Sequence, residues 1–397
     1  MAIPNKFKWI LLFIAVWLGV PQPSLKYEQD ILPLARQWVQ TASTKNDSTV
    51  VDPQQPLRGV KVVITGSTSG IGLGLTQILV KLGATVITLG RSETKLADLK
   101  QQVVDSNLVV PIQVQLADLE SVKHASEQIQ QQFDSIDVLI NCAGTNYIVE
   151  GSMSKTTPQN IDQSFGVNYV SHFLLTEKMI PLLTASNYHP TILQISSSFH
   201  WAVDGSELVV NAKHKMPLAA QPQGLTGQVF RAQRAYANSK LAQVLHARSL
   251  QRRHSGIRVR SACPGWVATP ILTRTVQKFV LGPFAFPANG FGIKSALYGV
   301  LDLQSQRQGD NDNDNSDFMT NTGMSGVMHS WPKLVFTPLV YRLRIRDFMF
   351  SLYGIVFLHT QRFWPEIKAR RSSPESYQEE IQEALYEWSY DTVKPFL

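Results

Sequence analysis

From residue 60 onward, short β-branched apolar runs alternate with longer stretches in which apolar positions recur every three or four residues. Val60, Val62, Val63 and Ile64 form the first run, the pattern of a parallel strand buried on both faces. It breaks at Gly66 and passes into an amphipathic helix over 71–82. The alternation then repeats as strand 84–89, helix 94–104, strand 108–114, helix 118–132, strand 136–140, a long helix 161–183 and strand 191–195. After an irregular stretch, 199–230, comes a helix over 232–254. Unbroken βαβ alternation predicts an α/β chain with a Rossmann-type, doubly wound parallel sheet in a single domain.

The flanks read differently. Lys6 and Lys8 precede an apolar run from Trp9 to Val20, closed by Pro21 and Pro23. Without a small-x-small cleavage site it reads as a retained N-terminal hydrophobic anchor, residues 1–25. Twelve residues of helix reach only about 18 Å against a hydrocarbon core of about 30 Å, so a shallow or tilted insertion is expected. Residues 26–57 read as an amphipathic segment, with Ile31, Leu34, Trp38 and Val39 near one face, followed by a polar, proline-punctuated linker. The catalytic domain is expected over 58–322, a C-terminal apolar/basic insertion over 323–371, and a closing helix over 372–397.

The chain has 397 residues, 44% of them apolar, enough for a sizeable core. Its formal charge of +7 is unevenly spread: Trp331–Arg371 holds eight Lys or Arg against two acidic residues, interleaved with apolar runs. That distribution fits an anionic membrane surface and argues against nucleic acid. Leu334 to Tyr341 is interrupted by Pro338, Arg342, Arg344 and Arg346 follow, and Phe348 to Leu358 is a second apolar run; the segment is expected to dock on a membrane near the substrate mouth. Cys142 and Cys263, the two cysteines, fall at predicted strand ends, which points to a reducing compartment rather than a disulfide framework. No metal is expected.

Chemistry concentrates at predicted strand ends. Gly66, Gly70 and Gly72 let the backbone turn sharply and approach a pyrophosphate, which the N-terminus of the following helix faces; Ser67, Ser69 and Ile71 belong to the same loop. At the end of the second strand stand Gly90 and Arg91, with Lys95 a turn further on, where an NAD site would carry a carboxylate. A cation there suits the 2′-phosphate of NADP(H). Asn141 and Ser197 lie where an open α/β sheet places its ligand, outside the carboxyl ends of the strands.

Tyr236 and Lys240 are four apart, so a helix puts them on one face. An ammonium about 4 Å from a phenol favours the phenolate by about 4 kcal/mol at an effective dielectric near 20, roughly three pK units. Tyr236 is thus the expected general acid/base, with Lys240 lowering its pKa. Ser197 would bind the substrate oxygen, and Asn168 would hold a water against Lys240 for proton relay. A second Tyr-x-x-x-Lys, Tyr390 and Lys394, is set aside because it is far in sequence from any strand end.

Taken in order, Thr65-Gly66-x-x-x-Gly70-Ile71-Gly72, Asn141-x-Ala143-Gly144, Asn168, Ser197, Tyr236-x-x-x-Lys240 and Pro264-Gly265-x-Val267-x-Thr269 resemble the short-chain dehydrogenase/reductase family over about residues 58–298. The resemblance implies Asn168, Ser197, Tyr236 and Lys240 as the catalytic set. It also implies cofactor contacts from Asn141, Ala143 and Gly144, from Pro264, Gly265, Val267 and Thr269 along the nicotinamide, and from Asp118 and Leu119 beside the adenine. The stretches 235–246 and 263–267 are similar to the retinol dehydrogenase and WW-domain oxidoreductase branch, which implies NADP(H) and a lipophilic substrate of the retinoid, steroid or fatty aldehyde class. Glu383 to Ser389 resembles that branch's closing helix. Three departures stand out: Cys142 replaces a second Asn, Ser197 and Tyr236 are unusually far apart, and 323–371 has no counterpart.

The expected protein is a membrane-associated NADP(H)-dependent oxidoreductase of lipid metabolism, on the endoplasmic reticulum or another intracellular membrane with its site facing the cytosol. The resemblance is compatible with a homodimer. The alternative is a catalytically silent, membrane-bound NADP-binding scaffold or sensor.

Overall fold

The computed structural model describes residues 24–42, 52–146, 156–208, 225–265, 267–271, 286–303, 318–320, 368–370 and 372–397. Six strands, β1 (Lys61–Thr65), β2 (Thr85–Gly90), β3 (Val109–Gln113), β4 (Val138–Asn141), β5 (Thr191–Ile195) and β6 (Arg258–Cys263), form a parallel sheet in the order β3-β2-β1-β4-β5-β6. The chain runs outward from β1 to β3, then returns to the other side of β1 with β4. That reversal opens a crevice at the carboxyl ends of β1 and β4, where ligands of doubly wound sheets bind.

Parallel neighbours need crossovers, and helices supply them on both faces. In chain order they are α1 (Leu32–Ala42), α2 (Gly70–Lys81), α3 (Glu93–Gln101), α4 (Leu119–Gln132), α5, α6 (Leu225–Arg253), α7 (Lys294–Leu301) and α8 (Glu379–Val393). Helix α5 begins as Gln163–Phe165, passes through a π turn at Gly166–Val170 and continues as Ser171–Thr184. Successive β1 residues feed opposite layers. Val63 packs in the core under α4, α5, α6 and α8, whereas Val62 and Ile64 pack in the core under α1, α2 and α7. This two-sided burial is why the strand reads as a continuous apolar run.

The sheet is longer than the alternation predicts. Beyond a two-residue parallel ribbon of β7 (Val267–Ala268) with β8 (Phe286–Pro287), strand β9 (Phe318–Thr320) pairs parallel with β6. Strand β10 (Lys368–Arg370) then closes that edge antiparallel. Three-residue strands carry too few positions for a period of two to register.

The compact unit also starts earlier than residue 58. Ile31, Leu32, Ala35 and Trp38 are at most 2% exposed and share the core of β1, α2 and α7. Trp38 stacks on Tyr188 at 5.7 Å, and Lys294 pairs with Asp30 at 3.1 Å. The amphipathic stripe of the segment therefore covers the sheet's own helix layer. Even the following stretch is tied in, with the Leu57 N–H donating to Leu82 C=O at 2.8 Å.

The apolar run from Trp9 to Val20 lies outside the described residues, as does the apolar and basic stretch 331–367. Among the described residues no helix is long and apolar enough to cross a membrane. At the other end, α8 packs on α5 and α6 through Ile381, Leu385 and Trp388. Arg252 and Arg253 both reach Glu383, and the Tyr169 and Ser389 hydroxyls are 2.8 Å apart.

Candidate active site

Strand β1 ends in the glycine loop. Gly66 sits at φ 70°, in the left-handed region, and a Cβ built there would lie 2.9 Å from Ala143 Cα. At Gly72 a Cβ would come within 2.3 Å of the Gly66 carbonyl oxygen, so only glycine lets α2 start this close to the strand end. The 12-residue α2 follows, and its first-turn N–H groups have no intrahelical acceptors. The loop touches the chemistry-bearing ends of other strands: Gly70 lies against Thr269, Gly90 against Thr68 and Gly66 against Ala143. Arg91 and Lys95 are both exposed beyond β2. These features fit a dinucleotide, with a close-approach backbone, a helix N-terminus and cations where a 2′-phosphate would sit.

Across the crevice, the end of β4 is bound to α5. Thr65 Oγ1 accepts the N–H groups of Cys142 and Ala143 at 2.9 and 3.0 Å. Asn168 lies in the π turn of α5, a local departure from the helical ladder of the kind that frequents functional sites. Its Oδ1 accepts from the Thr145 N–H at 2.7 Å, and its Nδ2 donates to Thr145 C=O and to Ser239 Oγ, each at 3.0 Å. Ser239 in turn donates to the Tyr236 carbonyl at 2.7 Å. The buried amide is thus satisfied, and it joins β4 to α6.

Ser197 follows β5 and caps a short 3₁₀ turn, Ser198–Ala202, accepting the Phe199 N–H at 3.3 Å. Its hydroxyl is hydrogen-bonded to the Tyr236 phenol. Burial pushes that phenol well above its ordinary range, and the Ser197 bond pulls the other way without cancelling the effect. Behind it, Lys240 Nζ donates to Ile195 C=O at 2.9 Å and to Gln243 Oε1 at 3.0 Å. Burial lowers Lys240 to about 8, with the nearby Cys142 and Cys263 pulling it weakly upward. A Cβ built on Gly144 would lie 3.5 Å from Lys240 Nζ and 3.7 Å from Asn168 Oδ1, so both polar groups border the same exposed glycine.

Residues 60–202 match the family model for short chain dehydrogenases. Over those residues the chain is similar to the short-chain dehydrogenase/reductase family. Among curated relatives, the oxidoreductase calI of Penicillium decumbens is 29% identical over 223 residues, 54% of this chain and 60% of its own length. Retinol dehydrogenase 13 of Mus musculus is 29% identical over 240 residues, 57% of this chain and 66% of its own length, in keeping with the retinol dehydrogenase branch. The matched part therefore spans less than two thirds of each of these two relatives. A crystal structure of an uncharacterized protein from Mycobacterium Paratuberculosis shares the fold, with a TM-score of 0.55 at 19% identity, over 85% of this chain and 94% of that one.

Short-chain dehydrogenases/reductases use a nicotinamide cofactor, and the family's motif positions come together here, with two corrections. The Asn141 side chain turns away from the crevice: it is fully buried and donates to Thr176 Oγ1 on α5 at 3.0 Å. The strand's alternation aims it at the helix layer. The lowering of the Tyr236 phenol expected of Lys240 does not prevail, because burial raises it. Lys240 Nζ stands 5.7 Å from the Tyr236 ring centroid and also donates to Ile195 and Gln243. Asp118 caps α4 through the Glu120 N–H at 3.2 Å and accepts from Gln159 Nε2 at 3.1 Å. Ser67 is buried against Leu89 C=O. Tyr390, of the second Tyr-x-x-x-Lys, is 40% exposed on α8 and stacks on Tyr386.

Sequence reasoning missed the residues that hold the set in place: His172, Thr145, Ser239, Gln243 and His200. None belongs to a spacing motif. A polar residue at an otherwise apolar helix position, as at His172 among Phe173, Leu174 and Leu175, is the one signal that was present.

Proposed function

We propose that this chain is an NADP(H)-dependent oxidoreductase that interconverts the carbonyl and alcohol of a lipophilic substrate of the retinoid, steroid or fatty aldehyde class. The observation that carries the reading is the hydrogen bond between the Ser197 hydroxyl and the Tyr236 phenol at the carboxyl end of β5, with the Lys240 amine buried behind them. Substrate oxygen takes the place each hydroxyl now gives the other. The dinucleotide supplies or accepts a hydride when bound. Residues Gly66, Gly70 and Gly72 would hold its pyrophosphate, Arg91 and Lys95 its 2′-phosphate, and Gly265 to Thr269 its nicotinamide end.

For this chain's own residues the chemistry is proton handling. A neutral phenol, kept so by burial, is the right form of Tyr236 to donate to a carbonyl oxygen as charge develops there, while Ser197 donates the second hydrogen bond. Lys240, with a pKa near ambient pH, is suited to return the proton. Asn168 borders the same glycine as Lys240, which supports a relay water between them. The membrane reading of residues 1–25 and 323–371 extends the proposal, since an apolar substrate partitions into a bilayer.

The test is turnover. Purified protein should oxidise NADPH with at least one aldehyde of a hydrophobic panel. Tyr236→Phe should abolish this while NADPH still binds by fluorescence titration; equal rates would end the assignment and leave a cofactor-binding scaffold.

A further inference from the structure

His172 lies one turn beyond Asn168 on α5, is 1% exposed, and takes no part in the chemistry above. Its protons can be placed by counting donors. Thr65 Oγ1 accepts N–H bonds from Cys142 and Ala143 at 2.9 and 3.0 Å, which occupies both of its lone pairs. Its hydroxyl proton is left for its third neighbour, His172 Nε2, 2.9 Å away. Nε2 is therefore an acceptor and carries no hydrogen. The ring's proton resides on Nδ1, which meets the Asn168 carbonyl oxygen at 2.9 Å. The contacts form one directed chain: the amides of β4's end to Thr65, Thr65 to His172, and His172 to the Asn168 carbonyl.

We propose that His172, as the neutral Nδ1–H tautomer, is a positioning residue that holds the strand end before the glycine loop and the Asn168 π turn in one fixed register. Thr65 immediately precedes Gly66, the first glycine of the cofactor loop. Asn168 holds Thr145 and Ser239, and Ser239 adjoins Lys240. The imidazole thus spans from the cofactor side of the crevice to its proton-exchange side. Asn168 is held from outside the helical ladder at both its polar ends, the amide by Thr145 and Ser239 and the carbonyl by His172. The titratable groups that face the ring are Lys240 and His246, both on α6. Protonating Nε2 would set its hydrogen against the Thr65 hydroxyl hydrogen and break the chain at its centre.

The effect on rate rests on the oxidoreductase reading; the tautomer rests on hydrogen-bond geometry alone, and the experiment separates them. In the full chain labelled with ¹⁵N-histidine, the His172 signal, assigned by its loss in His172→Phe or, should that variant not fold, by its shift in Thr65→Val, is expected to show an unprotonated Nε2 from about pH 8 to about pH 5. An Nε2–H tautomer, or a ring that titrates near its ordinary value, overturns the proposal. With an aldehyde that the wild type reduces, His172→Phe keeps ring volume and loses both bonds; it should lower kcat roughly tenfold, as for one net hydrogen bond, with KM within about twofold. His172→Asn, which can still donate to the Asn168 carbonyl, should recover part of the loss. Wild-type kcat in a His172→Phe protein that merely melts lower would show a packing role and overturn the proposal. Absence of turnover in the wild type counts against the oxidoreductase reading, and the tautomer still decides the hydrogen-bond assignment.

Discussion

The backbone N–H of Ser373 donates to His200 Nε2 at 3.2 Å, and the Nδ1 of the same ring meets the Ser197 carbonyl at 2.6 Å. Since Nε2 accepts, the proton sits on Nδ1 and is donated to Ser197. One neutral imidazole therefore ties the segment ahead of α8 to the strand-end serine that faces Tyr236. A helix at the far end of the chain is coupled by this bond to the reacting hydroxyl.

Removing that bond should be felt at both ends. Ser373 has φ −60°, a value proline adopts, so Ser373→Pro deletes the N–H with little backbone conflict. A buried imidazole nitrogen left without its donor costs about 1–3 kcal/mol. The urea midpoint should fall accordingly and kcat should drop with it; His200→Phe, which also loses the Ser197 bond, should show the larger drop in kcat. An unchanged midpoint in Ser373→Pro would mean the bond contributes nothing.

Lys240, lowered to about 8 by burial, should appear in the pH dependence of turnover. An inflection near pH 8 is expected in kcat measured for alcohol oxidation. Lys240→Arg keeps a cation that does not titrate below about pH 12, so the inflection should vanish from the accessible range. If it persists, another group is responsible.

His172 lies near 4 and is neutral when folded, against about 6.5 unfolded. Between those values the unfolded chain binds more protons, so this group's contribution to stability is complete above pH 6.5 and is lost as pH falls toward 4. The buried His246, near 3, acts in the same direction, whereas Asp162, raised by burial to about 6, acts oppositely. Comparison with His172→Phe isolates the single term. The stability advantage of wild type should shrink by about 2 kcal/mol from pH 7 to pH 5, measured by urea denaturation. A constant difference would show that His172 titrates alike in both states.

Cofactor choice turns on Arg91. Arg91→Ala should weaken NADPH by roughly 10- to 150-fold, as for one charge-assisted hydrogen bond, and leave NADH nearly unchanged, because only NADPH carries the 2′-phosphate. Equal losses for both cofactors in titrations would remove the role, and a smaller selective loss would assign the main contact to Lys95.

The sheet and its crevice were legible in the sequence because their signals are local. Val60 to Ile64 must be apolar on both faces to lie under two helix layers, Gly66 and Gly72 must lack a Cβ where chain segments approach within 3 Å, and Tyr236 and Lys240 must be four apart to share a helical face. Each requirement is written within a dozen residues, so the parallel strands, the loop and the catalytic candidates could be read in advance.

What only the tertiary structure decided is which partners those residues find. Trp38 reads as one face of a free amphipathic segment until the α7 layer is seen to need covering. Asn141 stands at a ligand-bearing strand end by position, yet the pleat turns its amide into α5 and Thr176. Lys240 is one helical turn from Tyr236, but its amine also finds Ile195 and Gln243, and burial raises the phenol that the charge was expected to lower. His172 and His200 bond across 107 and 173 residues of chain, to Thr65 and Ser373. Hydrogen bonds and desolvation depend on distances of about 3 Å between groups that the chain order leaves far apart. Periodicity constrains which face a residue occupies, and only packing determines what it meets there.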